Sequence, residues 1–153
     1  MTSPVAIALR PARADDVPTF FAHQNEPKAC AMAAWNPRDW AACAAHWQRI
    51  LANPNVLTLT IVIDETVAGY VAAFDREKQR EVCYWIGTEF WGRGVASAAL
   101  GALLAAEPTR PLRAHVAESN KASVRVLEKH GFRAESRENA DDGVQEVCLV
   151  LER

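Results

Sequence analysis

Trp85-Ile86-Gly87-Thr88-Glu89-Phe90-Trp91-Gly92-Arg93-Gly94-Val95-Ala96-Ser97 is the stretch whose reading decides the fold. A β-branched and aromatic run, Val82 to Ile86, reads as a strand that stops at Gly87. Val95, Ala99, Ala102, Leu103 and Ala106 then recur at helical spacing until Pro108. Between them lies a turn with two glycines. The first N–H groups of a helix have no partner within it and carry positive partial charge. Gly92 and Gly94 remove the Cβ atoms that would keep a ligand away from that backbone. The combination suits an anion such as a diphosphate, with Arg93 at its rim. It equally fits an ordinary strand-to-helix loop that needs glycine to turn tightly. No Lys follows Gly94, so the turn is not a P-loop, and it lacks the third glycine of the dinucleotide fingerprint.

Working outward, Val56 to Ile63, Val67 to Phe74 and Val82 to Ile86 read as three strands with short connections, an antiparallel meander. Upstream, Val5 to Leu9 reads as a strand stopped by Pro11. Asp15 and Asp16 are expected to cap a short helix from about Val17. Asn36-Pro37-Arg38-Asp39 reads as a helix start, with Asn36 the cap and Pro37 in the first helical position. Trp40, Ala44, Trp47 and Leu51 form the stripe of that helix, which Asn53-Pro54-Asn55 ends. Trp40 and Trp47 are expected in the core, and Asn25 to Trp35 as a loop.

Downstream, Leu112, Ala114 and Val116 alternate as a strand, and Asn120 caps a short helix ending at Gly131. Phe132 to Glu138 and Val144 to Leu151 close the chain as a strand pair around Asp141-Asp142-Gly143. The order β-α-α-β-β-β-α-β-α-β-β defines a mixed α/β domain spanning residues 1–153.

Half of the 153 residues are hydrophobic and 24% are charged, a globular composition. The formal charge of -2 offers no basic footprint for nucleic acid. No run approaches the ~18 apolar residues of a membrane span. The opening residues lack a basic leader, so a cytoplasmic protein is expected. Cys30, Cys43, Cys83 and Cys148 are scattered, without metal-ligand spacing, and are expected as buried thiols with no metal.

The run Trp91-Gly92-Arg93-Gly94-Val95-Ala96-Ser97 resembles the acetyl-CoA-binding signature of the GNAT acetyltransferases, (Q/R)xxGxG/A, with Trp91 in the Q/R position. With Tyr84-Trp85-Ile86-Gly87 it is similar to the branch of ribosomal-protein N-terminal acetyltransferases. A second block, Asn120-Lys121-Ala122-Ser123-Val124-Arg125-Val126-Leu127-Glu128-Lys129-His130-Gly131-Phe132, matches the family pattern NxxSxxvlxKxGF.

The resemblance implies a mostly antiparallel, twisted sheet of about six to seven strands flanked by about four helices. It implies an N-acetyltransferase using acetyl-CoA as co-substrate and an amine as acceptor. The cofactor-binding residues it points to are Trp85, Ile86, Thr88, Trp91, Gly92, Arg93, Gly94, Val95, Ala96, Ser97, Asn120 and Ser123. The diphosphate is expected on the N–H groups of Trp91 to Ser97, and the acetyl carbonyl on the N–H of Ile86.

Ser123 matches a hydroxyl near the thioester sulfur, an acid for the leaving thiolate. As the third residue of a capped helix it can instead bond backbone. The tyrosine acid of another branch is replaced by Leu127. Glu81 is the carboxylate candidate for the base, although the first residue of a strand is ordinarily solvated. His115 is a second candidate, while His23, His46 and His130 have no motif support. Cys83 reads as core rather than nucleophile. Neutralising a lysine amine of pKa ~10.4 at neutral pH costs ~4.6 kcal/mol, against ~1 kcal/mol for an α-amine near ~7.8. A terminal amine therefore needs only a weak base. The alternative is a non-catalytic acyl-CoA sensor on the same fold. A nucleotide-binding domain is the third reading, and it predicts affinity for a dinucleotide. The chain is expected as a monomer or homodimer, without membrane or nucleic-acid partners.

Overall fold

The computed structural model describes residues 5–139 and 143–153. Residues 141 and 142 of the expected closing turn lie outside them. Among the described residues seven strands form one sheet: β1 (Ala8–Pro11), β2 (Leu57–Ile63), β3 (Thr66–Arg76), β4 (Gln79–Ile86), β5 (Leu112–Ala117), β6 (Arg133–Asn139) and β7 (Gln145–Leu151). Their order across the sheet is β1-β2-β3-β4-β5-β7-β6. All neighbours are antiparallel except β4 and β5. Among the described residues five α-helices accompany the sheet: α1 (Val17–Gln24), α2 (Pro27–Ala33), α3 (Trp40–Ala52), α4 (Val95–Ala106) and α5 (Lys121–Lys129). None of the described helices is long and apolar enough to cross a membrane.

The sheet separates two apolar layers because side chains alternate along each strand. Val71, Ala73, Val82 and Ile86 pack with Leu100 and Leu103 of α4 and Leu127 of α5. Each fully buried leucine contributes roughly 1.5–3 kcal/mol. On the other face, Tyr70 of β3 packs with Val17 and Phe20 of α1 and with Cys43 and Trp47 of α3. The Trp47 ring sits 4.8 Å from Phe20 and 4.9 Å from Tyr70.

Several sequence expectations are corrected. The first strand runs Ala8–Pro11 rather than from Val5, and Pro11 is tolerated because β1 is a sheet edge. Asp16 does not cap α1. Its carboxylate instead takes two Arg10 hydrogen bonds of 2.7 Å, the Arg13 N–H at 2.9 Å and the Thr60 hydroxyl at 2.8 Å. Those partners hold its pKa down at about 2, against the upward push of burial. Asn36 does not cap α3 either. Asp39 does, accepting the Ala42 N–H at 2.8 Å, and the helix begins at Trp40.

The expected loop from Asn25 contains α2. Pro27, which stops α1, also starts this helix, because proline loses no hydrogen bond in the first turn. Trp40 is 47% exposed rather than core, since it opens α3 at the periphery, where it meets the edge of Phe21 at 5.3 Å. Trp47 is 2% exposed, as expected. The four cysteines are free thiols, with Cys43 and Cys148 buried and Cys30 and Cys83 half-buried.

Candidate active site

Strand β4 is zipped to β3 over its whole length, from Arg76 opposite Gln79 to Gly69 opposite Ile86. Its other edge meets β5 only at Arg80–Leu112 and Glu81–Arg113. Beyond Glu81 the two strands part. Gly87 donates to the Ala68 carbonyl at 2.8 Å, which makes Ala68 and Gly87 a hydrogen-bonded pair. By antiparallel alternation, Tyr84 and Ile86 are then non-bonded positions toward β3. Their backbone groups point into the gap. The Ile86 carbonyl accepts the Trp91 indole N–H at 3.0 Å, while its N–H has no strand partner among the described residues.

After β4 a single 3-10 turn, Thr88–Phe90, leads to the two glycines. Gly92 and Gly94 have φ of +78° and +75°, a region that other residues enter at a cost. A Cβ on either would meet nothing within 4 Å. Glycine is therefore required by backbone conformation, and the backbone presents an open face. Gly94 is the N-cap of α4, and the first helical bond runs from the Ala98 N–H to Gly94. The N–H groups of Val95, Ala96 and Ser97 are thus free of helical partners.

A cavity of about 360 Å³ joins this turn to the gap. Trp85, Ile86, Trp91, Gly92, Gly94, Val95, Ala96, Ser97, Asn120 and Ser123 of the predicted set line it. Three predicted contacts take other partners. Thr88 does not line the cavity, because its N–H and hydroxyl bind the Glu26 carboxylate at 3.1 and 2.5 Å. Arg93 points over the Phe90 ring, 5.7 Å away, and also lies off the lining. The Trp91 N–H is taken by the Thr88 carbonyl at 3.1 Å, so Trp91 offers its ring rather than its amide. Asn120 caps α5, its side-chain oxygen accepting the Ser123 N–H at 3.2 Å. Its amide NH2 is left for the cavity.

The Ser123 hydroxyl does not turn back on its helix. It lies 2.7 Å from the Tyr84 hydroxyl, which also reaches the Ser123 carbonyl at 3.3 Å. Burial pushes the Tyr84 phenol up to about 12, with the Ser123 hydrogen bond opposing. The phenol is therefore protonated at neutral pH and able to donate. Sequence reading placed Tyr84 only within a motif. The only available signal was its alternation with Ile86 on the edge of β4 that loses its partner.

A second cavity of about 620 Å³ opens on the α1–α3 face and shares Ala33, Tyr84, Trp85, Asn120 and Ser123 with the first. Its wall includes Trp35, Trp47, Tyr70, Phe74 and His115. Glu81, expected at a solvated strand start, is 3% exposed and lies off this lining. Its Oε1 is 2.7 Å from Nδ1 of His115, and Arg76 approaches to 3.9 Å. The Nδ1 makes no aligned hydrogen bond to that oxygen. Burial raises the Glu81 carboxyl above its ordinary value, against the pull of His115 and Arg76. The two base candidates are thus one pair, with His115 facing the cavity and Glu81 behind it. Burial pushes the Cys83 thiol up to about 12, so it stays protonated, but Cys83 is half-buried and lines the second cavity rather than sitting in the core.

Fold and site together define an α/β domain whose sheet opens beside a glycine-built helix start, with one cavity on each face of the opening. The chain belongs to the GNAT acetyltransferase family, whose domain model matches residues 7–133. The structure is similar to RimL, the ribosomal L7/L12 alpha-N-protein acetyltransferase, at TM-score 0.81 and 21% identity over 98% of this chain and 93% of that one. It is similar to the aminoglycoside acetyltransferase AAC(6')-Ib solved with coenzyme A and kanamycin, at 0.78 and 18% over 97% and 95%. A chimera of the spermidine N-acetyltransferase SpeG from Vibrio cholerae and hSSAT gives 0.79 and 13% over 95% of each chain. At these identities the likeness is one of fold. No curated protein matches the chain.

Proposed function

We propose that this chain is an acetyl-CoA-dependent N-acetyltransferase that passes the acetyl group directly to an amine. The observation that carries it is the meeting of the two cavities at Tyr84 and Ser123, where β4 leaves β5. One cavity has the free amides of Val95 to Ser97 for a diphosphate and the unpaired edge of β4 for a pantetheine arm. RimL and AAC(6')-Ib have both been solved with coenzyme A, which supports that fit. Bound acetyl-CoA supplies the thioester.

The chain's own groups then divide the work. The Ile86 N–H, fixed in the gap, stabilises charge developing on the acetyl oxygen as the amine attacks. The Tyr84–Ser123 hydroxyl pair delivers a proton to the departing sulfur. His115, with Glu81 behind it, receives the proton that the amine must lose. The acid assignment rests on position and on the protonated Tyr84 phenol, and the base assignment on position alone.

The test is thiol release from acetyl-CoA across a panel of amines, with wild type, Tyr84→Phe, Ser123→Ala and the double variant. Each single variant is expected to lower kcat by roughly 10²-fold. The double variant is expected to be little worse, because the hydroxyls act as a unit. Undiminished turnover in both single variants removes the acid role. Coenzyme binding without thiol release for any amine would make the protein an acyl-CoA sensor.

A further inference from the structure

No sequence motif gives His130 a role, and it does not line the cavity beside α4. Its imidazole nevertheless lies against the wall of that cavity. As the C-cap of α5, His130 brings Nε2 to 3.0 Å from the hydroxyl of Ser97. Ser97 lines the cavity and is the third residue of α4, so its N–H has no helical partner. One turn further along α4, Gly101 stands under the ring. A Cβ there would lie 3.2 Å from Cε1 of His130, closer than packing ordinarily allows. A glycine inside a helix weakens it relative to alanine, and here its missing Cβ makes the seat of the ring. The half-buried imidazole is thus held at two points, by a hydrogen bond and by a gap in the helix surface. Helix α4 brings no charged side chain to it, and Arg125, Glu128 and Lys129 of α5 are exposed.

A serine hydroxyl has one hydrogen to give and two lone pairs that receive. When Nε2 lacks a hydrogen, the hydroxyl spends its own on the ring and keeps only lone pairs for the cavity, which repel an anion. When Nε2 carries a hydrogen, the ring donates, and the hydroxyl is free to donate into the cavity beside the Ser97 amide. Resting on the coenzyme site proposed above, we infer that His130 is a positioning residue for the diphosphate of coenzyme A: its Nε2–H donates to Ser97 Oγ, and Ser97 gives its hydroxyl hydrogen to a diphosphate oxygen. Ser97 then offers the anion two donors, its N–H and its hydroxyl. The diphosphate in turn selects the ring with hydrogen on Nε2, because a ligand favours the state it binds better. Transfer leaves the diphosphate unchanged, so the contact serves ground state and transition state alike. Its contribution belongs in KM for acetyl-CoA rather than in kcat.

The experiment is titration calorimetry of wild type, Ser97→Ala, His130→Ala, the double variant and His130→Gln. The ligands are coenzyme A and dephospho-coenzyme A, which lacks the ribose phosphate but keeps the diphosphate. Each alanine variant is expected to weaken both ligands by about 10-fold, as one hydrogen bond to a charged group allows. The double variant is expected to be no weaker than either single one, because the two side chains act as a unit. His130→Gln, whose amide N–H stands in for Nε2–H, is expected to keep most of the affinity, and it carries the test if His130→Ala fails to fold. In acetyl transfer the alanine variants are expected to raise KM for acetyl-CoA by a similar factor while kcat holds. Nitrogen NMR of the complex is expected to find the hydrogen on Nε2 of His130. Unaltered affinity in His130→Ala, additive losses in the double variant, a loss confined to the ligand with the ribose phosphate, or a bare Nε2 in the complex would each overturn the inference and leave the coenzyme site standing. If wild type binds neither ligand, the coenzyme site falls, and the acetyltransferase reading with it.

Discussion

The two cavities that meet at Ser123 are built by opposite means. The cavity beside α4 presents backbone: the amides of Val95 to Ser97, the turn at Gly92 and Gly94, and the unpaired edge of Tyr84 and Ile86. The cavity beside α3 presents side chains drawn from α1, the α2–α3 connection, α3, β3, β5 and β7. Backbone sites are specified by conformation, so a few glycines and a cap suffice. Side-chain sites are specified by packing between distant segments, and can change without altering the fold. The contrast lets one architecture keep its backbone-built cavity while its side-chain-built cavity varies.

The largest expected effect strikes the side-chain cavity. Trp47 holds the aromatic cluster against Phe20 and Tyr70 and forms part of the wall. Trp47→Ala is expected to cost about 3–5 kcal/mol of stability. Trp40→Ala, on the same helix, is expected to cost far less, within about 1 kcal/mol, because about half of that residue is already in water. Urea unfolding measures both. Similar losses for the two would break the claim that α3 contributes only one tryptophan to the wall.

Next in size is the backbone cavity. Gly94→Trp is expected to weaken coenzyme A binding by about 100-fold, or ~2.8 kcal/mol at ~1.4 kcal/mol per decade. Gly94→Ala separates the causes: its Cβ meets nothing within 4 Å, so only the strain of φ +75° remains. That strain costs about 1–2 kcal/mol of stability, with a smaller loss of affinity. Titration calorimetry beside a thermal melt distinguishes them. Unchanged affinity in Gly94→Trp would detach the turn from the diphosphate.

The same contrast governs how much could be read in advance. The glycine turn, the Asn120 cap and the meander are local features, written in consecutive residues, and they pointed to the family and to residues that line the cavity beside α4. Tyr84 and Ser123 stand 39 positions apart, and their 2.7 Å contact depends on where α5 settles against β4. Glu81 and His115 looked like rivals because no local pattern shows that parallel pairing at Glu81–Arg113 brings their side chains together. Helix α2 was missed because Pro27 is legible both as a stop and as a start, and only the tertiary setting shows it to be both. Trp40 and Trp47 share one helical stripe, yet only the position of α3 over the sheet decides which is buried.

The smallest effect concerns the strap that holds α1 to the sheet edge. Asp16 joins Arg10 of β1 and Thr60 of β2 through buried carboxylate oxygens. Its folded pKa, about 2, lies below the ordinary 3.8. A depressed carboxylate contributes stability above its unfolded pKa and loses it as the pH falls through the folded value. Wild type should therefore lose stability between about pH 4 and pH 2, a range in which Asp16→Asn changes less. At neutral pH the variant should be weaker by about 1–2 kcal/mol, since the Thr60 contact survives while the charge on Arg10 goes unanswered. Because α1 carries Gln24 into the side-chain cavity and, among the described residues, supplies none of the lining of the backbone cavity, KM for the amine should rise while coenzyme affinity holds. Equal losses on both sides would show that the two cavities are mechanically coupled across β4, and that the division between them is weaker than their construction implies.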